Sequence, residues 1–111
     1  LERNSMNWYR VPYFGQTAEK RKYKIMQKLD AGEYPLFIYL IVLASTSVNQ
    51  MEIVSPVEYE RQQMRNGIEP LILGIAVGMD EAKALAGEIV ADVYRLTGTA
   101  DVKGYYLKLN E

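Results

Sequence analysis

The side chains that most often carry chemistry in proteins are missing from this chain, which contains neither histidine nor cysteine. Their absence removes the imidazole base, imidazole and thiolate metal ligands, Ser/His/Asp and Cys/His arrangements, and disulfides. Catalysis would have to run on Asp, Glu, Lys, Tyr, Ser or Thr. With no cysteine to read, the redox compartment is left open.

Among the carboxylates, Asp80, Glu81 and Asp101 could supply oxygens to a hard cation such as Mg²⁺. They follow no metal-binding spacing, so they read as an N-cap and surface charges. Glu52, Glu58 and Glu60 are no better patterned, and paired carboxylates for acid–base work are a matter of geometry that spacing alone does not supply. No catalytic residue, metal site or cofactor is assigned. A small carboxylate- or metal-dependent enzyme remains an alternative.

Two further patterns invite a ligand. Gly74 and Gly78 flank a strand-to-helix turn, where free N–H groups could bind phosphate, but neither phosphate-loop glycine pattern is present. Asp80 and Glu81 at the helix start would also repel an anion. Lys20, Lys24 and Lys28 recur at i, i+4, i+8 and form one face of a helix. That basic face reads as solvated. Its functional counterpart is a contact to phosphates or anionic lipid, which keeps a nucleic-acid accessory role, with Arg10 and Trp8, as a second alternative.

The elements that must position these residues follow from the chain. Its 111 residues suffice for one domain, and a composition 49% hydrophobic and 24% charged is that of a globular protein. Net charge is −1, yet up to Lys28 seven basic residues face two acidic ones. Residues 1–16 show no period and crowd Trp8, Tyr9, Tyr13 and Phe14 around Pro12 and Gly15; they read as an irregular aromatic arm packed on its own domain or a neighbour. Leu1 to Ser5 are either an expression remnant ahead of a native Met6 or part of a fragment of a longer protein. Residues 17–111 form the single α/β domain.

Within it, Thr17 to Ala31 reads as a helix capped by Thr17, with Ala18, Ile25, Met26 and Leu29 inward. Leu36 to Ala44 is an unbroken apolar run, too short to span a membrane, and reads as a central strand. Met51 to Val54 returns as a short strand near an edge. Ser55-Pro56 opens a helix that runs to about Arg65, with a thin stripe of Val57, Tyr59 and Met64. Leu71 to Val77 is the second central strand. Glu81 to Thr97 is the best-defined helix, capped by Asp80 and stopped at Gly98, and Asp101 to Leu109 reads as an edge strand. A parallel pair through a helical crossover joins the strands at Leu71 and Val102. The expectation is a mixed four-stranded sheet in the order helix, strand, strand, helix, strand, helix, strand. The helices at Ser55 and Glu81 would share one face.

Opposite the inner arc of the long helix lie Ala84, Gly87 and Ala91, with Tyr94 beside them, where a solvated face would carry charge. Gly87 weakens a helix interior by up to about 1 kcal/mol, so this face reads either as a packing surface for a partner, a subunit or the aromatic arm, or as a neutral run of alanines.

Through YLIVLAS and ILGIAVGMDEAKALAGEIVADVYRLTG the chain resembles small uncharacterised bacterial proteins that pair a YLI-type strand with a GIA-G-xxEA…EVY-xTG helix unit. The resemblance covers roughly Tyr34 to Tyr106 and rests on packing and turn motifs. It implies a bacterial cytoplasmic α/β domain of unknown function and carries over no catalytic residue. The combined expectation is a non-catalytic binding or self-association module, its partner itself or another protein.

Overall fold

The computed structural model of the protein describes residues 6–46 and 49–109. The status of Leu1 to Ser5 lies outside the described residues. Among the described residues four strands and five helices follow in the order β1 (Trp8–Phe14), α1 (Gln16–Lys20), α2 (Lys22–Asp30), β2 (Ile38–Leu43), β3 (Met51–Val54), α3 (Pro56–Asn66), β4 (Ile72–Val77), α4 (Met79–Thr97) and α5 (Val102–Leu109).

The strands make one mixed sheet, β1-β4-β2-β3. The two unbroken apolar runs, β2 and β4, take the centre because only there are both faces covered. Their pairing is antiparallel, as is the β2–β3 hairpin, and β3 is the short edge strand expected of MEIV. Helices cover both faces, so the protein is a mixed four-stranded α/β domain.

Two elements differ from the sequence reading. Residues 8–14, read as irregular, form β1 and pair in parallel with β4, Tyr13 opposite Gly74 and Phe14 opposite Ile75. Pro12 is tolerated because β1 lies at an edge, where the missing N–H costs no ladder bond. Conversely, the stretch read as a final strand is α5. Asp101 accepts the Gly104 N–H through Oδ1 at 3.0 Å, and Val102 and Tyr106, one turn apart, face inward together. The parallel pair therefore joins β4 to β1 and not to the C-terminal segment.

The helices are distributed differently from expectation as well. On one face, Leu85, Ile89 and Val93 of α4 and Val102 and Tyr106 of α5 pack on Ile41, Leu43, Leu73 and Ala76. On the other, Ala18, Ile25 and Leu29 of α1–α2 join Tyr59 of α3 over Ile38, Leu40, Val42, Ile72 and Ile75. So α3 and α4 lie on opposite faces. The α3 stripe reduces to Tyr59, 1% exposed, while Met64 is 78% exposed. Tyr59 stays inside because its hydroxyl donates to the Pro70 carbonyl at 2.8 Å.

Alternation along β4 breaks at Gly74, where the β2–β4 register shifts between Ile41 and Val42. Such a bulge turns the strand so that Leu73 and Ala76 serve one core and Ile72 and Ile75 the other. Gly74 is bare for a reason. A Cβ there would meet Leu85 Cδ2 at 3.0 Å and the Tyr13 carbonyl oxygen at 3.2 Å.

Candidate functional site

The alternation of β1 decides where the aromatics go. Tyr9 and Tyr13 face the α4–α5 layer, whereas Trp8 and Phe14 pack on the α1–α3 layer. Asp101, by starting α5, brings Tyr105 and Tyr106 to the same place. The Tyr106 ring stands edge-on to Tyr9 with centroids 5.0 Å apart and to Tyr105 at 4.9 Å.

A chain of hydroxyls ties these rings to α4. Tyr106 donates to the Tyr13 hydroxyl at 3.3 Å, and Tyr13 donates to Asp92 Oδ2 at 2.7 Å. Asp92 Oδ1 accepts from Arg95 Nη2 at 3.0 Å on the surface. Burial pushes the Tyr13 phenol far above its usual range, and its bonds to Tyr106 and Asp92 add to the effect. Tyr106 is raised too, chiefly by burial. Asp92 is held below the usual carboxylate range, first by the Tyr13 hydroxyl and then by Arg95. A phenol held this far from ionisation stays protonated at neutral pH and acts as a hydrogen-bond donor, so the network orients the rings.

What the network frames is a surface recess of about 320 Å³, lined by Tyr9, Val11, Pro12, Tyr13, Leu96, Tyr105 and Tyr106. Val11 and Leu96 remain 69% and 59% exposed. Rigid tyrosines beside exposed aliphatic groups are the composition of a contact surface. Of the residues at the recess, Tyr9 and Tyr13 belong to the aromatic segment singled out in the sequence, whereas Asp92 and Leu96 carry no sequence signal of their own and Tyr105 and Tyr106 read as strand residues. The helical spacing of Val102, Tyr106 and Leu109 was the signal that would have brought α5 here.

The other expected residues are dispersed. Ala84, Gly87, Ala91 and Tyr94 are exposed on the outer face of α4, and a Cβ on Gly87 would meet nothing within 4 Å. The aromatic segment does not cover them, since it is β1. Trp8 packs in the opposite core and is not a stacking platform beside exposed Arg10. Lys20, Lys24 and Lys28 are exposed as expected, though Arg21, at φ −126, divides their helix into α1 and α2. Arg21, Lys24 and Lys28 line a hollow of about 140 Å³ with Ile25 and Pro35.

The carboxylates serve helix ends. Glu81 accepts the N–H groups of Thr17 at 3.0 Å, Ala18 at 3.2 Å and Val77 at 3.0 Å. Thus Thr17 is not the cap of its helix; Glu81 satisfies that start from α4, and α4 itself begins after Gly78, not at Asp80. Burial works to raise the Glu81 carboxyl, but the backbone donors at Val77, Thr17 and Ala18 prevail and hold it below its ordinary value. A Cβ on Gly15 would strike this carboxylate, which explains the glycine. Asp101 caps α5, and Glu58 pairs with Arg61 and Arg65 on the surface of α3. Among the described residues no three potential ligands are grouped to hold a metal ion.

Comparison with known proteins returns nothing: no family model, no curated protein and no solved structure matches the chain.

Proposed function

We propose that the protein is a non-catalytic binding module that acts by self-association, with the recess beside β1 as its contact surface. The observation that carries this reading is the recess itself, where four tyrosines fixed by ring contacts and a hydroxyl chain surround exposed Val11 and Leu96. Pre-fixed rings lose little freedom on contact, so their area contributes to affinity with a small ordering cost. Pro12 and the charge of Arg10 keep the free edge of β1 from simple strand addition, which leaves the side-chain surface as the means of contact. The setting is a bacterial cytoplasm, supported by the resemblance of the 34–106 stretch. No helix among the described residues is long and apolar enough to cross a membrane.

Light scattering across a concentration series tests this. The native protein is expected above its 12.7 kDa monomer mass, and Leu96→Glu is expected to return it to that mass with unchanged circular dichroism. A native protein that stays monomeric at every concentration defeats self-association.

A further inference from the structure

Between α2 and β2 the chain turns through Leu36 and Phe37, whose side chains are 79% and 70% exposed. Isolated exposed apolar residues are ordinary on any surface. Two large neighbours at the tip of a turn are not. Phe37 moreover holds φ at 66, and among the described residues no other non-glycine has a positive φ. An aromatic residue is disfavoured in that left-handed conformation, and such outliers persist where the surroundings impose them. Here the Phe37 carbonyl accepts the Gly78 N–H at 2.7 Å, which pins the turn to the end of β4. The fold thus maintains a disfavoured backbone that leaves two apolar side chains in water.

On its Pro35 side the turn adjoins a basic row, while exposed Asp80 follows Gly78 on the other side. Pro35, immediately before it, shares a hollow with Arg21, Lys24 and Lys28. From Lys20 to Phe37 the chain carries five cations against Asp30 and Glu33, in a protein whose net charge is −1. Lys22 is engaged with Glu19 at 3.0 Å. Lys20, Arg21, Lys24 and Lys28 are exposed, and Tyr23 of α2 is 82% exposed. Apolar tip and basic row meet at Pro35, which lines the hollow with Arg21, Lys24 and Lys28. A surface complementary to both has negative charge in a plane with hydrocarbon beneath it.

We infer that this end of the molecule docks on an anionic lipid bilayer, Leu36 and Phe37 entering below the headgroups while Arg21, Lys24 and Lys28 meet the lipid phosphates. Nucleic acid would engage the row but has no use for Leu36. An acidic protein would need a pocket for the pair as well as its charge, whereas a bilayer accepts both side chains without one. The surface is separate from the recess beside β1, so the two proposals stand or fall independently.

Co-sedimentation of the native chain with sucrose-loaded vesicles tests the inference. Vesicles of mixed phosphatidylglycerol and phosphatidylcholine are expected to carry the protein down, and pure phosphatidylcholine to carry little, with binding reduced by added salt. Phe37→Ser and, separately, Leu36→Ser should each weaken binding about tenfold, the loss of one buried apolar side chain. Lys24→Glu should weaken it by roughly fivefold or more, since each basic residue at such a surface contributes about a factor of five. Leu36→Ser leaves the φ of residue 37 alone and serves as the control if Phe37→Ser misfolds by circular dichroism. No sedimentation with the anionic vesicles overturns the inference. So does binding that both serine variants leave unchanged, or equal binding to duplex DNA, because then the basic row alone is acting.

Discussion

The two helical layers that sandwich the sheet are built in opposite ways. One is dominated by α4, whose 19 residues supply Leu85, Ile89 and Val93 to the core and end at Gly98 in the left-handed region. The other is assembled from helices of 5, 9 and 11 residues. Helices shorter than about 12 residues do not hold themselves in water, so these depend on what they touch. Of the three, α3 has its own start, Ser55 Oγ accepting the Glu58 N–H at 3.1 Å. For α1 there is no side-chain cap from its own sequence; its first N–H groups are satisfied by Glu81 of α4. The difference teaches that one layer carries its own order while part of the other borrows it.

The largest test of that asymmetry compares one truncation in each layer. Ile89→Ala removes a side chain with 0% exposure from beneath α4, and it is expected to cost about 2–5 kcal/mol in urea unfolding. Leu29→Ala, at 3% exposure in α2, is expected to cost less globally, and amide exchange should show α1 and α2 opening ahead of the rest. Equal losses with a single global opening would break the comparison.

A sharper and smaller test is the bridge itself. Glu81→Gln should cost about 1.5–3 kcal/mol, the range for hydrogen bonds to a charged acceptor, and should free the α1 amides while leaving those of α4 protected. The folded carboxyl binds its proton less tightly than the ordinary value of 4.5. Its contribution is therefore complete above that pH and drains as pH falls through the lowered folded value. Thermal melting followed down through the acid range should show this loss in the native protein and a flatter profile in Glu81→Gln. An identical acid profile in both proteins removes the assigned role.

The smallest effect concerns the outer face of α4. Since a Cβ at Gly87 meets nothing within 4 Å, Gly87→Ala should raise stability by about 0.5–1 kcal/mol by thermal melting. A fall in melting temperature would mean that this face is covered in the assembled protein.

Where the sequence was legible, the signal was local. The apolar runs at β2 and β4 announce central strands without reference to anything else in the chain. Ser55-Pro56 and the glycines after α3 and α4 mark helix ends for reasons contained in a few residues. Where reading failed, a distant partner decided. In β1 the pair Tyr9 and Tyr13 and the pair Trp8 and Phe14 do have strand parity, but Pro12 and Gly15 argue against a strand unless an edge position is known. In α5 the β-propensity of Val102, Tyr105 and Tyr106 is overridden by the Asp101 cap and by burial against Tyr9 and Tyr13. The Asp92–Tyr13 bond spans 79 residues and the Glu81–Thr17 bond 64. No window along the chain displays either, so the recess was only half visible from sequence.

The parallel pairing of β1 with β4, Trp8 beside Ile72, also fixes an order of events during synthesis. At about 5–20 residues per second, several seconds separate the emergence of β1 from that of β4, its neighbour in the sheet. Through that interval a nascent segment reading WYRVPYF lacks the strand it pairs with in the fold, while β2 and β3 are already made. Its proline and arginine then guard against a wrong neighbour on the ribosome, before the finished domain has any edge to protect.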